Sequence, residues 1–226
     1  MSSTLANLAG YVNSQLCTTL PLPDTAPPGP FATQTILVTG ANTGLGLEAA
    51  RHFVALGAAR VILAVRSLEA GEAAARDIAA STGREGVAEA WELDLARYRS
   101  VEGFVMRVEE ELEGGVDVLV GNAGVFLVRF ERKEQEGGGE GDRDGNGDEL
   151  TMVVNVISHM LLALLLLPKM RATAVAKGRP SVMTFTGSFT HWMTAFPERT
   201  APDIFAGLAD QKAARMRDRF VTHWRA

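Results

Sequence analysis

The chain has 226 residues, is 46% apolar and carries a formal net charge of −5. That length is enough to bury a sizeable core in one domain, and that charge gives no electrostatic pull toward nucleic acid or an anionic membrane. The single cysteine, Cys17, excludes an internal disulfide and fits a reducing, cytoplasmic setting.

The first residues lack a basic stretch followed by a long apolar core, so no secretory signal is expected. Leu5, Leu8, Val12 and Leu16 recur at helical spacing behind Ser2, Ser3 and Thr4, which reads as a short helix or as a half-ordered leader. Pro21 to Pro30 (PLPDTAPPGP) is an extended linker. Residues 1–30 are therefore leader and linker, and the globular domain occupies 31–226.

Thr35 to Val38 is a short apolar run with the β-branched content of a buried strand. Thr39 to Gly46 (TGANTGLG) follows, and a helix-forming stretch from Leu45 runs to a stop at Gly57. Strand, glycine turn and helix in that order make a phosphate-binding device. Gly40 permits the turn, Gly44 lets a pyrophosphate approach the backbone, and Gly46 lets the helix pack on the strand. No Lys-Ser/Thr pair follows these glycines, which excludes the phosphate loop of an ATPase.

Strands and helices then alternate. Arg60–Val65 is a second strand, followed by a helix capped by Ser67 and ending near Gly83. Val87–Asp94 is a third strand. Ser100 caps a helix with Val101, Phe104, Val105, Val108 and Leu112 on one face. Val116–Val120 is a fourth strand, leading into Asn122-Ala123-Gly124. Leu150–Leu167 is a long apolar helix closed by Pro168, and Ser181–Thr186 is a fifth strand. The apolar run Leu161–Leu167 is too short to span a bilayer, so no transmembrane segment is expected. This order predicts an α/β fold: a doubly wound parallel sheet of five strands with helices on both faces. Ligands then lie at the carboxyl ends of the strands, which carry Gly40–Gly46, Arg66, Asp94, Asn122 and Ser188.

Glu131–Glu149 is rich in Gly, Asp and Glu and reads as a solvated loop. Asp142, Asp144, Asn146 and Gly147 match the opening of an EF-hand calcium loop, but Val153 stands where a bidentate Glu is needed, so no metal site is expected.

From about Thr33 to about Phe220 the chain resembles the short-chain dehydrogenase/reductase family, in the branch of retinol dehydrogenase-like and fungal enzymes. The motifs appear in the family's order: TGANTGLG, the LDL of Leu93-Asp94-Leu95, Asn122-Ala123-Gly124 with Gly121 where a second Asn is common, Asn155 in NVISH, and Ser188 in TGSFTH. The resemblance implies a Rossmann-type domain that transfers hydride between a nicotinamide and a carbonyl or alcohol substrate. Asn155 and Ser188 would serve the active site. Gly40, Asn42, Gly44, Leu45, Gly46, Arg66, Asp94 and Asn122 would hold the cofactor. An Arg rather than an acid at position 66 can grip a 2′-phosphate bidentately, which favours NADP(H) over NAD(H). The helix 151–167 would pair with a second copy.

One element of the family's pattern departs. Its acid/base is a Tyr in a YxxxK motif after the Ser, with the Lys pulling the phenol down from a pKa of about 10. The only tyrosines here are Tyr11 and Tyr98. Phe220 and Trp224 stand where Tyr and Lys would, with His191 the one nearby substitute. The resemblance therefore leaves two expectations: an NADP(H)-dependent oxidoreductase, or a shortened, non-catalytic dinucleotide-binding protein that lacks the last strands and presents an open sheet edge at its fifth.

Overall fold

A computed structural model describes residues 10, 13, 17, 28–133, 148–187 and 196–212. In chain order the elements are β1 (Thr35–Thr39), α1 (Gly44–Ala55), β2 (Arg60–Val65), α2 (Leu68–Thr82), β3 (Ala88–Glu92), α3 (Tyr98–Glu111) and β4 (Val118–Gly121). A small antiparallel ladder of β5 (Arg132–Lys133) and β6 (Asp148–Glu149) follows, then the long helix α4 (Leu150–Lys177), β7 (Val182–Phe185), a 3-10 turn Pro197–Thr200 and the short α5 (Ile204–Ala209).

The main sheet has the order β3-β2-β1-β4-β7, all parallel. The inner strands β1, β2 and β4 are apolar runs because both faces are covered. Leu37, Ile62, Ala64 and Leu119 point into one core with Val101, Phe104 and Val108 of α3 and Leu162, Leu166 and Met170 of α4. Ile36, Val38, Val61, Leu63 and Val65 point into the other, with Ala50 and Val54 of α1 and Ala74 and Ile78 of α2. Each fully buried Leu, Ile or Val stabilises the fold by about 1.5–3 kcal/mol. Phe31 joins this second core, its ring edge-on to Phe53 with centroids 4.9 Å apart.

Local chemistry sets the helix ends. Ser67 Oγ accepts the Ala70 N–H at the start of α2, and Gly83, at φ +68°, terminates it. The buried carboxylate of Glu149 accepts the N–H groups of Thr151 and Met152 and so caps α4. At the amino end of the sheet, Asp117 accepts from Thr35 N, Lys177 Nζ and Arg179 Nη2 at 2.8, 2.6 and 2.9 Å. This joins β1, the approach to β4 and the far end of α4.

Three expectations need correction. The helix from Leu150 does not stop at Pro168 but runs through it to Lys177, with Gly178 (φ +61°) as its left-handed terminator. Burial of Leu166, Met170 and Thr173 on either side of the proline outweighs the proline's cost. Ser100 does not cap α3; the cap position is Arg97, and Ser100 Oγ instead accepts the Asp94 N–H at 2.9 Å. The acidic loop is tied at both ends by the β5–β6 ladder, in which Arg132 pairs with Glu149. Helix α4 is long and apolar enough to cross a membrane by length and composition, yet half of its most apolar stretch is buried within the fold.

Candidate dinucleotide cleft

The switch in strand order falls between β1 and β4, whose chains leave the sheet toward opposite sides. The crevice there is bordered by the turn after β1 and the turn after β4. Gly40, at φ +65°, occupies backbone space that a side chain could not: an added Cβ would lie 2.9 Å from Ala123 Cα. A Cβ on Gly46 would lie 2.5 Å from the Gly40 carbonyl oxygen and from Asn122 Nδ2, so only glycine lets α1 start this close to the strand.

The start of α1 is open to a ligand. Thr43 at its cap position makes no side-chain cap, and no acid occupies its first turn. The first backbone N–H groups of a helix have no partner within it and carry the positive end of the helix dipole. Gly44, at φ +58°, has nothing within 4 Å of where a Cβ would stand, and Leu45 is 77% exposed. Asn42 lies in the same turn, half-buried. An anion fits that geometry.

The remaining residues expected to hold a cofactor lie at the same end of the sheet. Arg66 directly follows β2, is exposed, and its guanidinium makes no ion pair among the described residues. Asp94 lies two residues past β3, half-buried, where one carboxylate oxygen accepts the Ala96 N–H at 3.0 Å and closes a tight turn. Asn122 follows β4. Its N–H donates to Thr39 Oγ1 at 2.9 Å and its Nδ2 to the Thr39 carbonyl at 3.1 Å, while Ala123 N–H donates to the same Thr39 hydroxyl at 2.9 Å. The turn after β4 is thus fastened to the last residue of β1.

Asn155 fastens the other end of that segment. Its Oδ1 accepts Val125 N–H at 2.8 Å and its Nδ2 donates to the Val125 carbonyl at 2.9 Å. It sits in a π-helical turn of α4, Val153–Ile157, a local widening that often marks a functional site. Val153, the twelfth position of the calcium-loop pattern, is a buried residue of that turn. Ser188, His191, Phe220 and Trp224, and Asp142, Asp144, Asn146 and Gly147, lie outside the described residues. Thr186, just before Ser188, brings its Oγ1 within 3.5 Å of Asn122 Oδ1, so the approach to Ser188 reaches the same crevice.

Sequence reasoning passed over Thr39 and His159. The buried imidazole of His159 places Nε2 3.1 Å from Thr39 Oγ1 and Nδ1 2.8 Å from the Val154 carbonyl. Burial pushes its pKa below the ordinary value, opposed by the bond to Val154. The available signal was one histidine in an otherwise apolar helix, one turn past Asn155.

A family model described as short chain dehydrogenase matches residues 34–188. The short chain dehydrogenase/reductase dmxR8 of Cryptosporiopsis sp. is 42% identical over 209 residues, covering 91% of this chain and 59% of its own. The short chain dehydrogenase atnD of Emericella nidulans is 42% identical over 218 residues, covering 95% and 63%. The chain therefore spans about three-fifths of the length of these curated relatives. Among solved structures, an uncharacterized protein from Mycobacterium paratuberculosis aligns with a TM-score of 0.56 at 30% identity over 85% of this chain and 62% of its own. The RhlG/NADP active-site complex of Pseudomonas aeruginosa aligns at 0.54 and 27% identity, covering 80% and 63%. A short chain dehydrogenase from Escherichia coli CFT073 complexed with NADPH aligns at 0.54 and 25% identity, covering 85% and 68%.

Proposed function

The chain belongs to the short chain dehydrogenase family, and from that premise we propose that it binds NADP(H) in the crevice between β1 and β4 and serves an oxidoreductase acting on a carbonyl or alcohol. The observation that carries this reading is the uncapped start of α1 behind Gly40, Gly44 and Gly46, with Arg66, which makes no ion pair among the described residues, at the end of the neighbouring strand. The backbone of Asn42–Gly46 would receive the pyrophosphate. Arg66 would grip the 2′-phosphate, and Asp94 would face the adenine. Asn122 would border the path to the nicotinamide, and Asn155 would keep the Val125 backbone from drifting into it. Ser188 would hold the substrate oxygen. When bound, the nicotinamide supplies or accepts the hydride. Neighbours solved with NADP and NADPH support the choice of dinucleotide. The same reading includes a small-molecule substrate, a cytoplasmic location, no nucleic acid, and self-association through the helix 151–167.

A second reading is favoured by Phe220 and Trp224, which stand where the acid/base Tyr and its Lys would be. Phe keeps the ring without the proton and Trp removes the charge. Loss of a positioned acid/base costs about a hundredfold to ten-thousandfold in rate. On this reading the chain binds dinucleotide without turning it over. A panel of carbonyl substrates separates the two: NADPH consumption supports the first, and binding without consumption the second.

The cofactor assignment is tested by calorimetric titration. The 2′-phosphate contact should favour NADPH over NADH by about ten- to a hundredfold. Arg66→Ala should erase most of that gap with stability changed by less than about 0.5 kcal/mol. Equal affinity of the unaltered protein for NADH and NADPH rules out the assignment.

A further inference from the structure

Beneath the Gly40 and Asn122 turns runs a buried chain of polar groups: the Val154 carbonyl, His159, the Thr39 hydroxyl, and the N–H groups of Asn122 and Ala123. Its hydrogens can be assigned by elimination. The Val154 carbonyl can only accept, so His159 Nδ1 carries a proton and donates to it. Ala123 N–H can only donate and takes one lone pair of Thr39 Oγ1; Asn122 N–H, shared with the Val120 carbonyl at 3.1 Å, takes the other along its shorter branch at 2.9 Å. The one Thr39 proton must then be given away. The Val120 carbonyl is at the limit of reach at 3.5 Å, whereas His159 Nε2 is at 3.1 Å. A neutral imidazole, protonated at Nδ1, has its free lone pair at Nε2 and completes the set. An imidazolium would instead offer a third N–H to an oxygen that has only two lone pairs.

The surroundings hold the ring in that place. The Phe185 ring lies edge-on to it, with centroids 6.1 Å apart. Gly121 leaves the room: a Cβ there would overlap the Phe185 ring and come within 3.0 Å of His159 Cδ2. The π turn contributes as well. Ser158 N–H, the α-helical partner of Val154 O, goes instead to Val153 O, and the Val154 carbonyl receives the imidazole. One helix thus governs both ends of Asn122–Val125, through Asn155 at Val125 and through His159 and Thr39 at Asn122.

We propose that His159 is a positioning residue for the dinucleotide cleft: by accepting the Thr39 proton it aims both Thr39 lone pairs at the Asn122–Ala123 turn and so fixes the wall against which Gly40 packs. This rests on the reading of the crevice as the NADP(H) site, so one readout must be independent of cofactor. His159→Leu fills the volume and removes the acceptor. His159→Gln places an amide oxygen where Nε2 stands and retains it. In the full chain, nitrogen NMR of the unaltered protein should show His159 neutral with the proton on Nδ1. The Asn122 and Ala123 amide signals should move in His159→Leu and stay in His159→Gln. NADPH affinity should fall about tenfold in the leucine variant and stay within about threefold in the glutamine variant, since one neutral buried hydrogen bond is at stake. A merely space-filling histidine would give the reverse, with leucine tolerated and glutamine harmful. A proton on Nε2 in the unaltered protein, or unmoved amide signals in His159→Leu, would overturn the proposal. If the unaltered protein binds no NADPH, the cofactor reading fails, and the imidazole and amide signals alone decide the role of His159.

Discussion

Strands β1 and β7 belong to one sheet and follow the same parallel pairing rule, yet they live in different surroundings. From Ile36 to Thr39, β1 is buried on both faces between two cores, paired on both edges and closed at its end by the Thr39 network. β7 pairs with β4 on one side, and Val182 is 49% exposed. The adjoining helix α4 shows the same division, with Leu162 and Leu166 buried but Leu164 67% exposed. The strand beneath the expected dinucleotide site is covered on both faces, while the part next to the expected substrate side presents apolar surface. Apolar strand runs read alike in both places. What differs is how many neighbours cover them.

Substitutions sharpen that contrast. The largest effect belongs in the packed half. Gly46→Val would drive a branched side chain into the Gly40 carbonyl and Asn122. It should abolish NADPH binding and destabilise the fold by about 3 kcal/mol or more, measured by titration and denaturant unfolding. Preserved binding would mean that α1 does not approach the β1 turn this closely. Next comes Asp117→Ala, at the opposite end of the same strands. It removes a buried carboxylate holding Thr35, Lys177 and Arg179. Because Lys177 and Arg179 are partly solvated, the expected loss is about 1–3 kcal/mol, with NADPH affinity retained. Loss of affinity in step with stability would instead couple the two ends of the sheet. The smallest effect belongs on the exposed face. Leu164→Glu should change monomer stability by no more than about 0.5 kcal/mol. If α4 pairs with a second copy, the same change should disperse it in light scattering, and a large loss of stability in a monomer would show that this face is covered within the chain.

Much of the fold was legible in the sequence because parallel strands buried on both faces read as unbroken apolar runs and glycine turns punctuate them. Thr35–Val38, Arg60–Val65 and the helix from Gly44 could be placed nearly to the residue. The glycine turn was legible for the same reason: close backbone approach leaves a compositional trace at Gly40 and Gly46. The continuation of α4 through Pro168 was not, because tertiary burial on either side of a proline has no local signature. The π turn at Val153–Ile157 adds one residue to a helical turn without disturbing the apolar pattern around it. Asp117 inside an apolar strand run and His159 inside an apolar helix were visible as anomalies, but Lys177 and Arg179 lie 60 and 62 residues from Asp117, and Thr39 lies 120 residues from His159. Gly121 was noted only as a departure from a motif; its use, to admit Phe185 and His159, depends on side chains from two other elements.

The central claim is that the β1–β4 crevice is a formed dinucleotide site on a folded parallel sheet. Thermal unfolding of the chain with and without NADPH, with NADH as control, tests it most directly. Ligand at a hundred times its dissociation constant should add about 2.7 kcal/mol, or roughly 5–10 °C for a chain of this size. A cooperative transition shifted by that amount with NADPH, and less with NADH, is the predicted result. A cooperative transition that neither nucleotide moves would contradict it.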